Sequence, residues 1–282
     1  MRKLLLASFA LVPLTVVARL LGLDPVVQFG LAVLALAPLA WLISEATDQA
    51  AQYTGPAIGG LLNASFANVP ELMIALFALS DGLFDVVRGS LTGSVVGNLL
   101  LVLGLALAVG GYVLVRSLQE KRGEEGERGE RRWTFRRSLI LLGTGTLATA
   151  AVSETVTGSI RSFADTVCLS EFFVAAVIVA VAGNAAEHGA AVVVAVRGEL
   201  KLAADIALES SAQVAALVIP GVALLSWLIE PFPLAFSVIE LVVLSGAVAI
   251  AALLLHRGRS TRTRGLVLAG AYFAAAAAFL LQ

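Results

Sequence analysis

Apolar runs of about 20 residues recur along the whole chain, separated by short charged or Gly/Pro-rich breaks. Nine of them lie near residues 4–21, 27–46, 56–79, 90–115, 138–158, 169–196, 202–228, 234–255 and 265–281. Each is long enough to cross a hydrocarbon core of roughly 30 Å as a helix. The pattern predicts an all-α polytopic membrane protein with about nine transmembrane helices. Arg2 and Lys3 before the first run resemble the start of a signal peptide, but the run continues to Leu21 and outlasts the usual apolar region of such a leader. An uncleaved first span is the better reading.

The breaks carry the charge. With the N-terminus cytoplasmic, nine spans place 16 of the 19 Lys and Arg residues on the inside and three, Arg19, Arg88 and Arg161, on the outside. That asymmetry is what the positive-inside rule requires, and it predicts the C-terminus outside. The one long polar stretch, Ser117–Trp133, holds five glutamates among basic residues and glycines. It divides the chain into a first transmembrane half, 1–116, a cytoplasmic linker, 117–137, and a second half, 138–282.

The halves repeat one another. Ala67-Asn68-Val69-Pro70-Glu71 in the third span resembles Gly183-Asn184-Ala185-Ala186-Glu187 in the sixth. An offset of 116 residues carries Asn68 onto Asn184, Glu71 onto Glu187 and Ser94 onto Ser210. A Ser-Glu pair, Ser44-Glu45 or Ser153-Glu154, precedes each motif near a span end. Spans an odd number apart cross in opposite directions. The expectation is an inverted-topology repeat with its site near the bilayer midplane.

Composition excludes several alternatives. Only 14% of residues are charged against 59% hydrophobic, and the net charge of −1 comes with no basic, aromatic-laced patch for nucleic acid. Cys168 is the single cysteine, and His188 and His256 are the only histidines. Neither an intrachain disulfide nor a cysteine- or histidine-built metal centre is available. The sequence lacks H-E-x-x-H and G-x-S-x-G, so an intramembrane hydrolase is not supported. An enzyme is not expected, nor a bound cofactor.

What remains is a set of intramembrane carboxylates. Each costs about 2.5–3.5 kcal/mol on insertion scales if it faces lipid, so they are expected to face a cavity or be neutral. Glu240 reads best as a neutral acid bonding a neighbouring helix. Glu71 and Glu187 read differently. Each stands three residues after an Asn, which puts amide and carboxylate on one helix face. Two such faces together offer two carboxylates and two amide oxygens, a hard-oxygen set that suits calcium with its six to eight ligands. Ser94, Asn98, Ser210, Gln213 and backbone carbonyls can add to it. Pro70 within a helix would free the carbonyl of Phe66, with Gly183 loosening the sixth span in the same way. Two carboxylates in one low-dielectric site repel, so at least one holds a proton once the cation leaves. Competition between cation and protons for one site is antiport. His188, beside Glu187, either joins the proton coupling or is a packing residue.

Gly59-Gly60-Leu61-Leu62-Asn63-Ala64-Ser65-Phe66-Ala67-Asn68-Val69-Pro70-Glu71-Leu72 resembles the first signature of the calcium/proton exchangers, within the calcium/cation antiporter superfamily. Gly183-Asn184-Ala185-Ala186-Glu187-His188 resembles their second. Gly93–Asn98, Ser210–Gln213, Ser44–Asp48 and Leu169–Phe173 are similar to family segments as well. The resemblance implies calcium export or sequestration driven by a proton gradient. It implies Glu71 and Glu187 as cation ligands and proton acceptors, with Asn68, Asn184, Ser94, Ser210 and Gln213 supporting. Three departures stand out. Ala67 and Glu209 replace family glycines, and the chain is shorter by two spans than the family's usual eleven.

The expectation is therefore an antiporter of calcium, as transported substrate, against protons. Alternatives are a sodium-coupled or other cation exchanger and a non-transporting, partner-dependent membrane subunit. A bacterial-type plasma membrane fits the short loops, and the sequence leaves room for a homo-oligomer.

Overall fold

The computed structural model describes residues 7–110, 133–232, 235–256 and 261–282, and every regular element among them is helical. In chain order these are α1 (Leu11–Leu20), α2 (Pro25–Gly55), α3 (Ile58–Phe66), α4 (Val69–Ser80), α5 (Phe84–Val109), α6 (Phe135–Val167), α7 (Glu171–Gly183), α8 (Ala185–Val196), α9 (Leu200–Ile229), α10 (Val238–Leu255) and α11 (Arg262–Phe279). Most of the 117–137 linker, through residue 132, lies outside the described residues.

Local chemistry explains the boundaries. The Asp24 side chain accepts from the Val26 N–H at 2.8 Å and Pro25 opens α2, a capped start with proline in the first turn. Gly55 ends α2 at φ 77°, a left-handed conformation that glycine adopts freely, and Pro56 follows it. Ser170, Ser237 and Thr261 cap α7, α10 and α11 with their hydroxyls.

Each expected span overlaps a described helix or, for 56–79 and 169–196, a bent pair of helices, but the count of nine is not confirmed. Five described helices are long and apolar enough to cross a membrane, and seven if the bent pairs α3/α4 and α7/α8 each make one span. The ten-residue α1 is too short for a crossing that needs about 20 residues, and Arg262 and Arg264 dilute the apolar character of α11. The helix α6 runs through Val167, nine residues beyond its expected end. Glu154 therefore lies well inside it, where it pairs with Arg19 at 2.6 Å.

The bundle is organised around α5, the most buried of the long helices. In lipid there is little hydrophobic gain from helix association, so close van der Waals packing must hold helices together. Glycines supply it: a Cβ on Gly89 would sit 2.6 Å from the Phe172 carbonyl oxygen, and one on Gly93 2.0 Å from that of Ala176. The backbones of α5 and α7 are thus nearly in contact, and Gly104 and Gly265 bring α5 and α11 equally close. On the far side α2 and α6 pair along their length, from Ile43 beside Gly145 to the Phe29–Phe163 stack at 4.2 Å. Leu224, Trp227 and Leu228 of α9 are more than 70% exposed, an apolar outer face that suits lipid.

Candidate functional site

Both motifs break a helix. Asn68 stands between α3 and α4 at φ −98°, ψ 17°, and Asn184 between α7 and α8 at φ −89°, ψ 15°. The bends are 46° and 60°. Asn and Glu do not lie within one continuous helix as expected: each Asn is the residue before a new helix, and each Glu lies in that helix's first turn. Pro70 also sits in the first turn of α4 rather than in a helix interior, where its missing N–H costs nothing. The result still concentrates polarity, because breaks free backbone groups and helix N-termini favour a carboxylate nearby.

The broken helices are cross-linked by α5 and α9. The Asn184 amide donates to the Ala180 carbonyl at 2.8 Å and to the Ser94 hydroxyl at 2.9 Å. The Asn68 amide donates to the Ala64 carbonyl at 3.3 Å and to Gln213 Oε1 at 2.9 Å. Asn98 donates to Ser210 at 2.9 Å and to Asn184 Oδ1 at 3.4 Å. Most of these bonds run from one half of the chain to the other. A π-helical turn follows each crossing point, Gly97–Val102 in α5 and Val214–Val218 in α9. An extra residue per turn at matched places in both halves is a common mark of functional helices.

Glu71 is 3% exposed, and neither carboxylate oxygen finds a hydrogen-bond partner on another described residue. It lies against Gly183, where a Cβ would come within 3.1 Å of Oε1. The carboxylate of the first motif thus touches the break of the second. Glu187 borders a cavity of about 210 Å³ together with Ser44, Asp48, Asn63, Glu209 and Gln213. Its carboxylate lies in the field of both Glu71 and Asp48. Among the described residues no three His, Cys, Asp or Glu side chains gather to hold a metal alone. Any cation here must draw on amides, hydroxyls and backbone carbonyls besides the two glutamates, and that mixture is calcium-like.

The structure brings together Asn68, Glu71, Ser94, Asn98, Asn184, Glu187, Ser210 and Gln213. His188 enters through Asn98, with Nε2 3.1 Å from Oδ1. Asp48 was missed, though it stands four residues after Ser44 and so shares its helix face. Other expectations are revised. Glu45 bonds Gln49 and Glu154 bonds Arg19, so the glutamates of the Ser-Glu pairs are occupied by other partners. Glu240 is fully buried, and the group facing it from the neighbouring helix α5 is Arg88, 3.6 Å away, a cationic partner that the sequence reading did not name.

Residues 25–123 and 137–281 match the family of sodium/calcium exchanger proteins. The Ca(2+)/H(+) antiporter ChaA of Bacillus subtilis is 30% identical, with 96% of each chain covered. That alignment runs over 338 positions against 282 residues here, so the relative has segments this chain lacks. Among solved structures, native YfkE superposes with a TM-score of 0.85 at 30% identity, covering 100% of both chains. The H+/Ca2+ exchanger CAX, at 14% identity and a TM-score of 0.71 over 99% of this chain and 92% of its own, shares the fold. With matched segments that include both helix breaks and the helices that cross them, this chain belongs to the sodium/calcium exchanger protein family.

Proposed function

We propose that this integral membrane protein exchanges calcium, or a closely similar divalent cation, for protons. The observation that carries the reading is the Glu71 carboxylate, buried without a hydrogen-bond partner on another described residue and seated against the helix break that bears Glu187. A buried carboxylate left bare costs several kcal/mol. Two of them in one field are neutralised either by a divalent cation or by protons, and that alternation couples the fluxes. The names of relatives such as the Bacillus subtilis antiporter support the same ion pair.

Glu71 and Glu187 are the proposed shared ligands for calcium and protons. Asn68, Asn184, Ser94, Ser210, Gln213 and Asn98 supply or orient the neutral oxygens. His188 acts through Asn98. The repeats of residues 1–116 and 138–282 form the two sides of the site, and bending at the Asn68 and Asn184 breaks exposes it to one face and then the other. We place the N-terminus in the cytoplasm of a bacterial-type plasma membrane.

Calcium uptake into inverted vesicles under an imposed proton gradient tests the proposal. Uptake that collapses with the gradient, and is absent in Glu71→Gln and Glu187→Gln, is expected. Uptake driven only by a sodium gradient would assign the coupling to sodium. No uptake under either gradient would favour a non-transporting role.

A further inference from the structure

The two motif asparagines are held alike on one side and differently on the other. Each donates one amide hydrogen to the carbonyl four residues earlier, Ala64 or Ala180. The second goes to the crossing helix. For Asn184 the acceptor is the Ser94 hydroxyl, which accepts in any rotamer that brings it within reach. For Asn68 the acceptor is Gln213 Oε1. A glutamine accepts only when its oxygen end points the right way; turned over, it presents a donor to a donor.

Something must hold Gln213 in that orientation, and the structure offers Glu209. Its Oε1 accepts from Gln213 Nε2 at 3.3 Å, an i,i+4 contact along α9. A carboxyl group, unlike an amide, has no nitrogen end to present to its neighbour. It holds the nitrogen end of Gln213 and leaves Oε1 for Asn68. With both its amide hydrogens engaged, Asn68 has Oδ1 left, and among the described residues nothing donates to it. We propose that Glu209 is a positioning residue for the cation: through Gln213 it orients the Asn68 amide so that oxygen, not nitrogen, is offered beside Glu71. Without it Gln213 can turn over, Asn68 follows, and an N–H₂ group meets the cation.

This inference rests on the proposed cation site, and a double-mutant cycle on purified protein separates the two. Calcium binding is measured by calorimetry, and exchange in proteoliposomes, for Glu209→Ala, Glu209→Gln, Gln213→Leu and Glu209→Ala/Gln213→Leu. Glu199→Gln, an exposed acid at the start of α9, controls for charge. Glu209→Ala is expected to weaken calcium binding about tenfold, mainly through KM. Glu209→Gln should recover part of that, because its amide oxygen accepts from Gln213 only in one of its two orientations. In the Gln213→Leu background, Glu209→Ala should add nothing. Three results would overturn the assignment: unaltered binding in Glu209→Ala; equal losses in Glu209→Ala and Glu209→Gln that high salt removes; or full additivity with Gln213→Leu. Wild-type protein that binds no calcium would instead sink the site proposal itself.

Discussion

Gly183 offers a graded perturbation of the proposed cation site that leaves every charge in place. Gly183→Ala adds one methyl group that would lie 3.1 Å from Glu71 Oε1. Ordinary van der Waals separation begins near 3.4 Å, so the carboxylate must retreat by about 0.3 Å. The window for calcium–oxygen bonds is about 2.3–2.6 Å, no wider than that retreat. A ligand displaced by the full width leaves the shell or drags its helix with it. Calcium affinity should fall about tenfold, equivalent to about 1.4 kcal/mol. The backbone has no objection, because Gly183 is helical and alanine is the better helix former. Two neighbours frame the result. Gly189→Ala meets nothing within 4 Å and should transport normally. Gly93→Ala would place its Cβ 2.0 Å from the Ala176 carbonyl and should fail to assemble. Calcium-dependent transport kinetics, with thermal stability by fluorescence-detected chromatography, distinguish the three. Unchanged affinity in a stable Gly183→Ala protein would refute the placement of Glu71 at the cation.

Three further outcomes follow from the same geometry. Glu240→Gln should leave exchange largely intact but lower thermal stability, since Arg88 loses a buried counter-charge; an inactive but equally stable variant would contradict that. Asp48→Asn should raise the KM for calcium several-fold at low ionic strength and much less at high salt, because Asp48 lines the cavity as a long-range attractor. An effect indifferent to salt would make Asp48 a direct ligand instead. A reporter at Gly126 should be cytoplasmic and one after Gln282 outside; both on one side would remove the proposed topology.

The repeat was legible because chemistry needs matching residue types in matching places: Asn68, Glu71 and Ser94 recur 116 residues on. The start of α2 was placed within two residues, at 27 against Pro25, but its end was set at 46, whereas the helix runs to Gly55. Other features depend on distant neighbours. Arg88 comes to face Glu240 only once α5 and α10 meet. Gly183 looked like a flexible point, but its lack of a side chain makes room for Glu71. The two broken helices were expected as continuous spans, since a break of one or two residues scarcely alters hydropathy over a 20-residue window. That choice also produced the helix-face argument for Asn68 and Glu71. The length of α6 was underestimated because Glu154 and Arg161 looked like an end, whereas ion pairs with Arg19 and Glu171 let the helix continue.

The central claim is that calcium and protons compete for one pair of carboxylates. Calorimetric titration of calcium into purified protein, in two buffers of different ionisation enthalpy, counts the protons released per cation bound. Deprotonated carboxylates bind calcium and protonated ones do not, so affinity should fall as pH is lowered, with proton release appearing over the same range. Glu187→Gln should abolish that release together with most of the binding. Tight calcium binding that releases no protons, at an affinity unchanged by acidification, would contradict the shared site.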